Sequence, residues 1–556
     1  MPTLEEIRHS CAHLLADSVI KLYPGTKRAI GPPTEDGFYY DFEFKKPITE
    51  NDLVKIEDNM RKILQTWNKF EVKNVTKAQA RKLFKDNPYK IELIEEFSKE
   101  GKKLTIYKSG DYVDLCKGGH AENPKDELKN FKLLKTAGAY WRGNEKNKML
   151  TRIYGTAFTT KKELDDYLKM LDDAEKNNHR VLGEQLEIFA HFDLVGKGLP
   201  VWLPNGETII REIEKFATDT ENNHGYLRVA TPHIAKKELF VKSGHLPYYE
   251  ESMFPKMKLD DGEYYLKSMN CPLHHLIYLH KLKSYRDLPV RLAEYGMVYR
   301  KELSGTLTGL QRVRGMRMND AHIYCRKDQI EEEIRKLIVM INEYYKVFGL
   351  KYFWFRLSLG DLSNKNKYIN EPENWKHTEE ILREVLSKLK VKFKEVKNEA
   401  AFYGPKIDIE YRNVYGKEDT LSTIQLDFAA KKRFNLFYFD ADGRKNNDVF
   451  VIHRAPLSTH ERLVALLIEH YRGKFPVWLS PVHVIIMTIA DRHVDHAKKF
   501  VEEMKSECVR AEIDDRTESI GKKVRDSQAM HIPYLITIGD KEIKENNLSV
   551  RTRDNK

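Results

Sequence analysis

Apolar residues in LEEIRHSCAHLLADSVIKLY, starting at Leu4, recur at three- and four-residue spacing, which predicts a helix with one buried stripe. His9 and His13, four apart, fall on a common face of it. After the turn residues Gly31, Pro32 and Pro33, GFYYDFEF reads as a strand and LVKIEDNMRKILQTW as a second amphipathic helix. YVDLCKGGH and AYWRGNEKNKMLTRIYGTAF close this first unit, 1–158. The charged stretch TKKELDDYLKMLDDAEKNNHRVLGEQL has helical spacing and predicts a linker helix over 159–185.

A larger unit, 186–478, opens with ETIIREIEKFATDTENNHGYLRVATPHI, a long amphipathic helix and an apolar strand ending near Pro232. Gln329 to Phe348 is helical in pattern, AFYGPKIDIEYRN and STIQLDFAAKKRF read as strands, and VFVIHRAPLSTHERLVALLIEHY runs from strand into helix. From 479 to 556 the order is strand, helix, strand, helix, strand, as in an α/β domain. The whole is an α+β multidomain chain without internal repeats or low-complexity tracts.

At 556 residues the chain is too long for one core and fits three or four domains. Its net charge of +11 favours a polyanionic partner, because cationic side chains that displace phosphate counterions gain affinity. The five cysteines, Cys11, Cys116, Cys271, Cys325 and Cys508, are odd in number and scattered, which argues against a disulfide framework and for a reducing compartment. No stretch reaches the roughly 18 apolar residues of a membrane span, and MPTLEEIRHSCAHLLA carries no signal pattern. A cytoplasmic protein without membrane contact is expected.

Candidate chemistry concentrates in SMNCPLHH, DAH and HR, which offer Cys271, His322 and His453. Three such ligands leave a fourth tetrahedral position open, the pattern of a zinc that touches substrate. Spacing alone carries little weight here, since structural zinc sites announce themselves by closely spaced ligand pairs.

The run RLAEYGMVYRKELSGTLTGLQRVRGMRMNDAHIYC, from Arg291 to Cys325, resembles the motif 2 strand-loop-strand of class II aminoacyl-tRNA synthetases. The MNCP, DAH and HR elements are similar to those of the threonyl-tRNA synthetase family, and the resemblance covers nearly the whole chain. It implies a catalytic core built on an antiparallel sheet, an N-terminal α+β editing domain and a C-terminal α/β anticodon-binding domain. The family's ubiquitin-like domain ahead of the editing domain, and its last C-terminal helix, have no counterpart in this sequence.

The implied reaction joins L-threonine to ATP, with Mg2+, and passes the threonyl group to the 3′ end of tRNA(Thr). By resemblance Arg300 clamps the α-phosphate and the amino-acid carboxylate, Glu302 meets adenine, and Arg312 and Arg462 hold the γ-phosphate side. Asp320 accepts the threonine hydroxyl proton, Met269 and Tyr403 line the pocket, and Lys406 and Gln425 form its wall. One zinc per chain on Cys271, His322 and His453 answers a selectivity problem. An apolar pocket separates the isosteres threonine and valine only about a hundredfold, whereas a site built to grip a hydroxyl reaches roughly 10⁴–10⁵.

Serine keeps the hydroxyl and loses one methyl, worth about 1–3 kcal/mol, so a hydrolytic second site is expected. HxxxH at His9 and His13, followed by CxxxH at Cys116 and His120, looks like the family's editing centre, with Asp114 placed to orient a histidine. These residues suit either a metal or a metal-free site that positions water; the family favours the latter. Glu542 and Arg551 fall where the family reads anticodon bases, and the helix and strand of 207–232 where it forms a homodimer.

Four positions depart from the family pattern around ATP: Met316 for the adenine-stacking Phe, Met318 for Gln, Thr420 for a phosphate-contacting Gln, and Ser458 for Gly. They leave open a non-ligating paralogue, acting as an RNA-binding or regulatory protein or as an editing hydrolase alone.

Overall fold

A capping box starts the first helix. Thr3 Oγ1 accepts the Glu6 amide hydrogen, and Glu6 returns a carboxylate oxygen to the Thr3 amide at 2.7 Å, satisfying donors that a helix start leaves free. The computed structural model describes residues 2–364 and 367–554 and divides the chain into two compact units, Met1–Asp172 and Asp173–Lys556.

In the first unit the Leu4–Leu22 helix buries Ile7, Cys11, Leu14 and Leu15 against Phe38, Tyr40 and Phe42 of the Gly37–Glu43 strand. That strand lies in a sheet with Lys27–Arg28, Met149–Ala157 and Phe131–Tyr140. A second sheet orders Glu71–Asn74, Thr105–Ser109 and Tyr112–Leu115; its last strand carries Asp114, and Cys116 follows directly after it.

The second unit is organised by an eight-stranded sheet. Its order is Leu227–Arg228, Val290–Tyr299, Gly315–Cys325, Phe450–Ala455, Glu418–Asp427, Lys406–Arg412, Phe353–Leu359 and Phe393–Lys397. All inner pairs are antiparallel; only the two outermost pairs are parallel. Strand side chains alternate between faces. Ala321, Ile323, Ile407, Ile409, Ile424, Leu426 and Ile452 all join one apolar core with residues of the helices Pro204–Asn223, Ile330–Val347 and His460–Tyr471. The opposite face is left for polar chemistry.

That core also holds one charged interlock. Glu221 of the long helix is fully buried and pairs with Arg454 at 2.8 Å and Arg228 at 2.6 Å, while accepting from Asn319 Nδ2 at 3.0 Å. Arg454 also lies over the Tyr226 ring. The interlock ties the long helix to three strands of the sheet.

Two sequence expectations change in detail. The linker stretch is two helices, Lys161–Lys176 and His179–Gln185, because the Asn178 backbone turns extended and its side chain caps the second helix by accepting from the Arg180 amide. The strand expected after the long helix is only Leu227–Arg228; the residues up to Pro232 are irregular.

The α/β pattern near the C-terminus appears as expected. Ala511–Asp514, Val484–Thr488 and Tyr534–Ile538 are parallel, with Ser549–Thr552 antiparallel at the edge. No helix among the described residues is long and apolar enough to cross a membrane.

Where the Phe450–Ala455 strand turns into the His460–Tyr471 helix, Ser458 sits at φ +55°, in the left-handed region that favours glycine. Its carbonyl accepts the Asn319 amide, which fixes that backbone.

Two stability outcomes follow. Ser458→Gly should stabilise the protein by roughly 1 kcal/mol in urea denaturation, because left-handed geometry costs a side-chain-bearing residue about that much; a destabilised variant contradicts the strain. Glu221→Leu strands the buried Arg454 guanidinium and should cost roughly 3–5 kcal/mol. A loss below about 1 kcal/mol would mean that the interlock contributes little.

Candidate functional site

The register of the antiparallel sheet assembles the site. Lys406 pairs with Gln425, Gln425 with His453, and His453 with His322, so four strands place these side chains in one row. Asp320, two residues before His322, shares its face. Cys271 reaches the row from the first turn of the Cys271–Leu279 helix, which Pro272 helps to start.

The donor atoms of Cys271, His322 and His453 lie within 4.8 Å of one another and all three residues are buried. His322 Nε2 and His453 Nδ1 face each other at 2.9 Å. Their other nitrogens are engaged elsewhere: His453 Nε2 donates to Asp427 Oδ2 at 3.1 Å, and His322 Nδ1 meets His274 Nδ1 at 2.8 Å. Two inward lone pairs at this distance repel unless a cation or proton lies between them. Burial pushes the Cys271 thiol well up, so a thiolate there requires a cation beside it. The donor set fits zinc with one position open. His275 turns away, to the Tyr324 hydroxyl at 2.9 Å.

Around this row lies a cavity of about 550 Å³ that brings together the residues expected for threonine and ATP. Tyr403 stacks on the His453 ring, with centroids 4.9 Å apart, and its hydroxyl donates to Gln425. Met269 lines the same wall. Asp320 accepts from Asn270 Nδ2 at 2.9 Å, and burial raises its carboxyl. Gly296 makes room for that amide: a Cβ there would stand 2.4 Å from Asn270 Oδ1.

Arg300 lines the cavity with its Nε buried and unpartnered in the protein. Arg462 donates to the Gln311 carbonyl at 3.1 Å; burial, then the neighbouring Arg300, lowers its guanidinium. Arg312 donates to Glu302 at 2.8 Å, so the two residues expected to grip opposite ends of ATP hold each other. Lys406 pairs with Asp408 at 2.5 Å. Met316 is buried against Val298 and Val313, with Met318 alongside; Thr420 donates to Glu410 at 2.9 Å. Both methionines, Thr420 and Ser458 line the cavity.

The first unit gathers the second constellation. The donor atoms of His9, His13, Cys116 and His120 lie within 4.8 Å of one another. Cys116 Sγ is 3.4 Å from His9 Nε2 and 3.2 Å from His120 Nε2. His9 Nδ1 donates to the Gly119 carbonyl at 3.1 Å, and Phe70 stacks on His120. Burial lowers His9 and His13, takes His120 down to about 3 and raises Cys116 to about 11, so near neutral pH these groups are uncharged.

Asp114 does not orient a histidine by hydrogen bonding, since His13 Nδ1 is 3.6 Å away and has no partner. Its oxygens serve Lys90 at 2.7 Å, Tyr40 at 2.6 Å and Tyr112 at 2.9 Å, with Arg28 at 3.4 Å. Burial opposes its ionisation, but Lys90 and Arg28 hold the carboxyl well below its usual range. A cavity of about 670 Å³ adjoins His9, His13, Lys90 and Cys116.

Beside the C-terminal sheet, Glu542 lies on the short helix Asp540–Glu545 and accepts from the Gly539 amide and the Ser549 hydroxyl, each at 3.0 Å. Arg551 is exposed on the edge strand.

Sequence reasoning missed Lys90, Asn270, His274, Glu294 and Asp427. Asn270 and His274 flank Cys271 in MNCPLHH, and a buried Lys on a helix gives no local signal. Glu294 and Asp427 stand inside strands, each between two apolar or aromatic neighbours, and a carboxylate so placed was the available clue.

Comparison with known proteins identifies the domains. Residues 256–471 match the tRNA synthetase class II core domain (G, H, P, S and T), 482–556 the anticodon binding domain, and 104–154 the threonyl and alanyl tRNA synthetase second additional domain. The threonine–tRNA ligase of Staphylococcus epidermidis is 48% identical over 550 residues, 99% of this chain and 85% of that protein. The crystal structure of the RNA binding domain of threonyl-tRNA synthetase from Cryptosporidium parvum is 36% identical, with a TM-score of 0.64 over 68% of this chain and 93% of that one. A putative threonyl-tRNA synthetase from Aeropyrum pernix is 29% identical, with a TM-score of 0.60 over 67% and 88% of the two chains. With its cross-strand row, its class II core and its second additional domain, the chain belongs to the threonyl-tRNA synthetase family.

Proposed function

We propose that this threonine–tRNA ligase activates threonine on the row of His322, His453, Gln425 and Lys406, with one zinc held by Cys271, His322 and His453. The observation that carries this reading is the pair of inward imidazole nitrogens 2.9 Å apart beside a buried thiol. Zinc would supply a Lewis acid able to grip an amino group and a hydroxyl together, which valine cannot satisfy. Asp320, steadied by Asn270, accepts the hydroxyl proton, and Met269 and Tyr403 enclose the side chain.

Arg300, its Nε free within the protein, clamps the α-phosphate and the threonine carboxylate. The carboxylate attacks phosphorus and pyrophosphate leaves; a 3′-terminal hydroxyl of tRNA(Thr) then attacks the acyl carbon and AMP leaves. The side chains contribute position and positive charge and form no covalent bond to substrate. Arg312 leaves Glu302 to meet the γ-phosphate side together with Arg462, which frees Glu302 for the adenine amino group. Mg2+ enters with ATP. Lys406 and Gln425 close the wall. The ATP-site departures leave these cations in place, which favours ligation over a paralogue that only binds RNA.

The first unit hydrolyses seryl-tRNA(Thr), with His9, His13, Cys116 and His120 positioning a water without metal and Asp114 anchoring Lys90 beside them. Neutral imidazoles are competent to accept a proton. Glu542 and Arg551 read anticodon bases, whose unpaired edges expose donors and acceptors. The long helix Pro204–Asn223 contributes a homodimer interface, and the cytosol is the site of action.

Metal analysis tests the first part. Wild-type protein should hold one zinc per chain and Cys271→Ala none, with threonine-dependent ATP–pyrophosphate exchange falling by roughly 10²–10³ or more. Zinc retained by the variant would refute these ligands. For editing, His13→Ala or Cys116→Ala should slow seryl-tRNA(Thr) hydrolysis by roughly 100-fold or more, so that mischarged tRNA accumulates. Unmodified protein that accumulates it just as readily would show the unit to be inert.

A further inference from the structure

The inward nitrogens of His322 and His453 bind a metal only if their protons sit on the outward nitrogens. Neutral imidazole has one N–H, and the partner of one nitrogen decides the state of the other. For each histidine the direction of hydrogen bonding traces back to one buried carboxylate.

On the His322 side the chain of contacts is long. Glu294 Oε2 accepts from His274 Nε2 at 3.0 Å, so His274 Nδ1 carries a lone pair and accepts the Nδ1 hydrogen of His322. Glu294 is itself pinned. Its Oε1 accepts from the Thr231 amide at 2.8 Å and faces Lys267 Nζ at 3.5 Å, two groups that can only donate. Lys267 is fully buried and is steadied by Thr231 Oγ1 at 2.7 Å. On the His453 side the chain is short. Asp427 Oδ2 accepts from His453 Nε2 at 3.1 Å, while its Oδ1 accepts from the Ala429 and Ala430 amides at 2.6 and 2.9 Å.

We propose that Glu294 and Asp427 are positioning residues that set the proton direction of the two histidine ligands and thereby the affinity of the metal site. The inference rests on the zinc reading of Cys271, His322 and His453. Because one oxygen of each carboxylate faces obligate donors, an amide in its place has a forced orientation. In Glu294→Gln the carbonyl must stay toward Thr231 and Lys267, and the NH2 must face His274 Nε2. His274 then accepts at Nε2 and donates from Nδ1; His322 accepts at Nδ1 and carries its hydrogen on Nε2, in the metal position. In Asp427→Asn the carbonyl must stay on the Ala429 and Ala430 amides, the NH2 faces His453 Nε2, and the hydrogen moves to His453 Nδ1. Each change is nearly isosteric and reverses polarity without opening a void.

The test uses the full chain, with the zinc dissociation constant read by chelator competition and folding followed by circular dichroism. Thr231→Val is the comparison variant: it disturbs the same buried cluster but keeps the Thr231 backbone donor and the direction of every bond to His322. Glu294→Gln and Asp427→Asn should each weaken zinc binding about 100-fold, the upper range for outer-shell partners, while Thr231→Val stays within a few-fold of wild type. Cobalt(II) in place of zinc should give a tetrahedral absorption band in wild type and Thr231→Val and lose it in both amide variants. If folded Glu294→Gln binds zinc no more weakly than Thr231→Val, the proton-direction account is overturned. If wild type itself binds no zinc, the underlying ligand reading fails and this inference goes with it.

Discussion

The pairing of His322 with His453 across two antiparallel strands is the constraint on which the catalytic unit depends. Side chains on a strand alternate, so a shift of one residue would send both imidazoles into the apolar core and bring Ile452 or Ile323 to the site. The apolar residues that contact the helices therefore fix the chemistry on the other face. Burial of Ile323, Ile424, Leu426 and Ile452 holds the register, and the register holds Lys406, Gln425, His453 and His322 in line. The Glu221–Arg454–Asn319 interlock reinforces it from the helix side, where Arg454 neighbours His453 and Asn319 precedes Asp320 by one residue.

Much of this was legible in the sequence because it was local. The helix of His9 and His13 announced itself by its period, and the strand carrying Asp320 and His322 was read from one contiguous run through its resemblance to the family's motif 2. Bringing Cys271, His322 and His453 to one point was not legible from spacing, since 51 and 131 residues separate them in turn (322 − 271; 453 − 322); only the family resemblance joined them. The residues that resisted both routes act through other residues. Glu294 and Asp427 touch histidines, not substrate, and Lys90 meets Asp114 from a separate helix. The short Leu227–Arg228 strand shows the opposite failure, in which an apolar run was read as extended although Leu227 is exposed.

In the proposed function the two constellations divide one discrimination problem between two physical solutions. On the proposed zinc reading, the row would reject a substrate that lacks a hydroxyl by leaving a buried polar site incomplete, a large penalty. It would not reject one that lacks only a methyl, so on the same reading the remaining selectivity would fall to hydrolysis in the first unit, where burial keeps the histidines neutral. Burial thus serves opposite ends: in the core unit it makes a thiolate depend on a cation, and in the first unit it suppresses charge altogether.

X-ray absorption at the zinc edge of the purified protein tests the central claim most directly. The account predicts a first shell of one sulfur at about 2.3 Å and two imidazole nitrogens at about 2.0–2.1 Å, with a fourth light atom that changes when threonine is added and stays unchanged with valine. A shell without sulfur, or a closed shell indifferent to threonine, would contradict it.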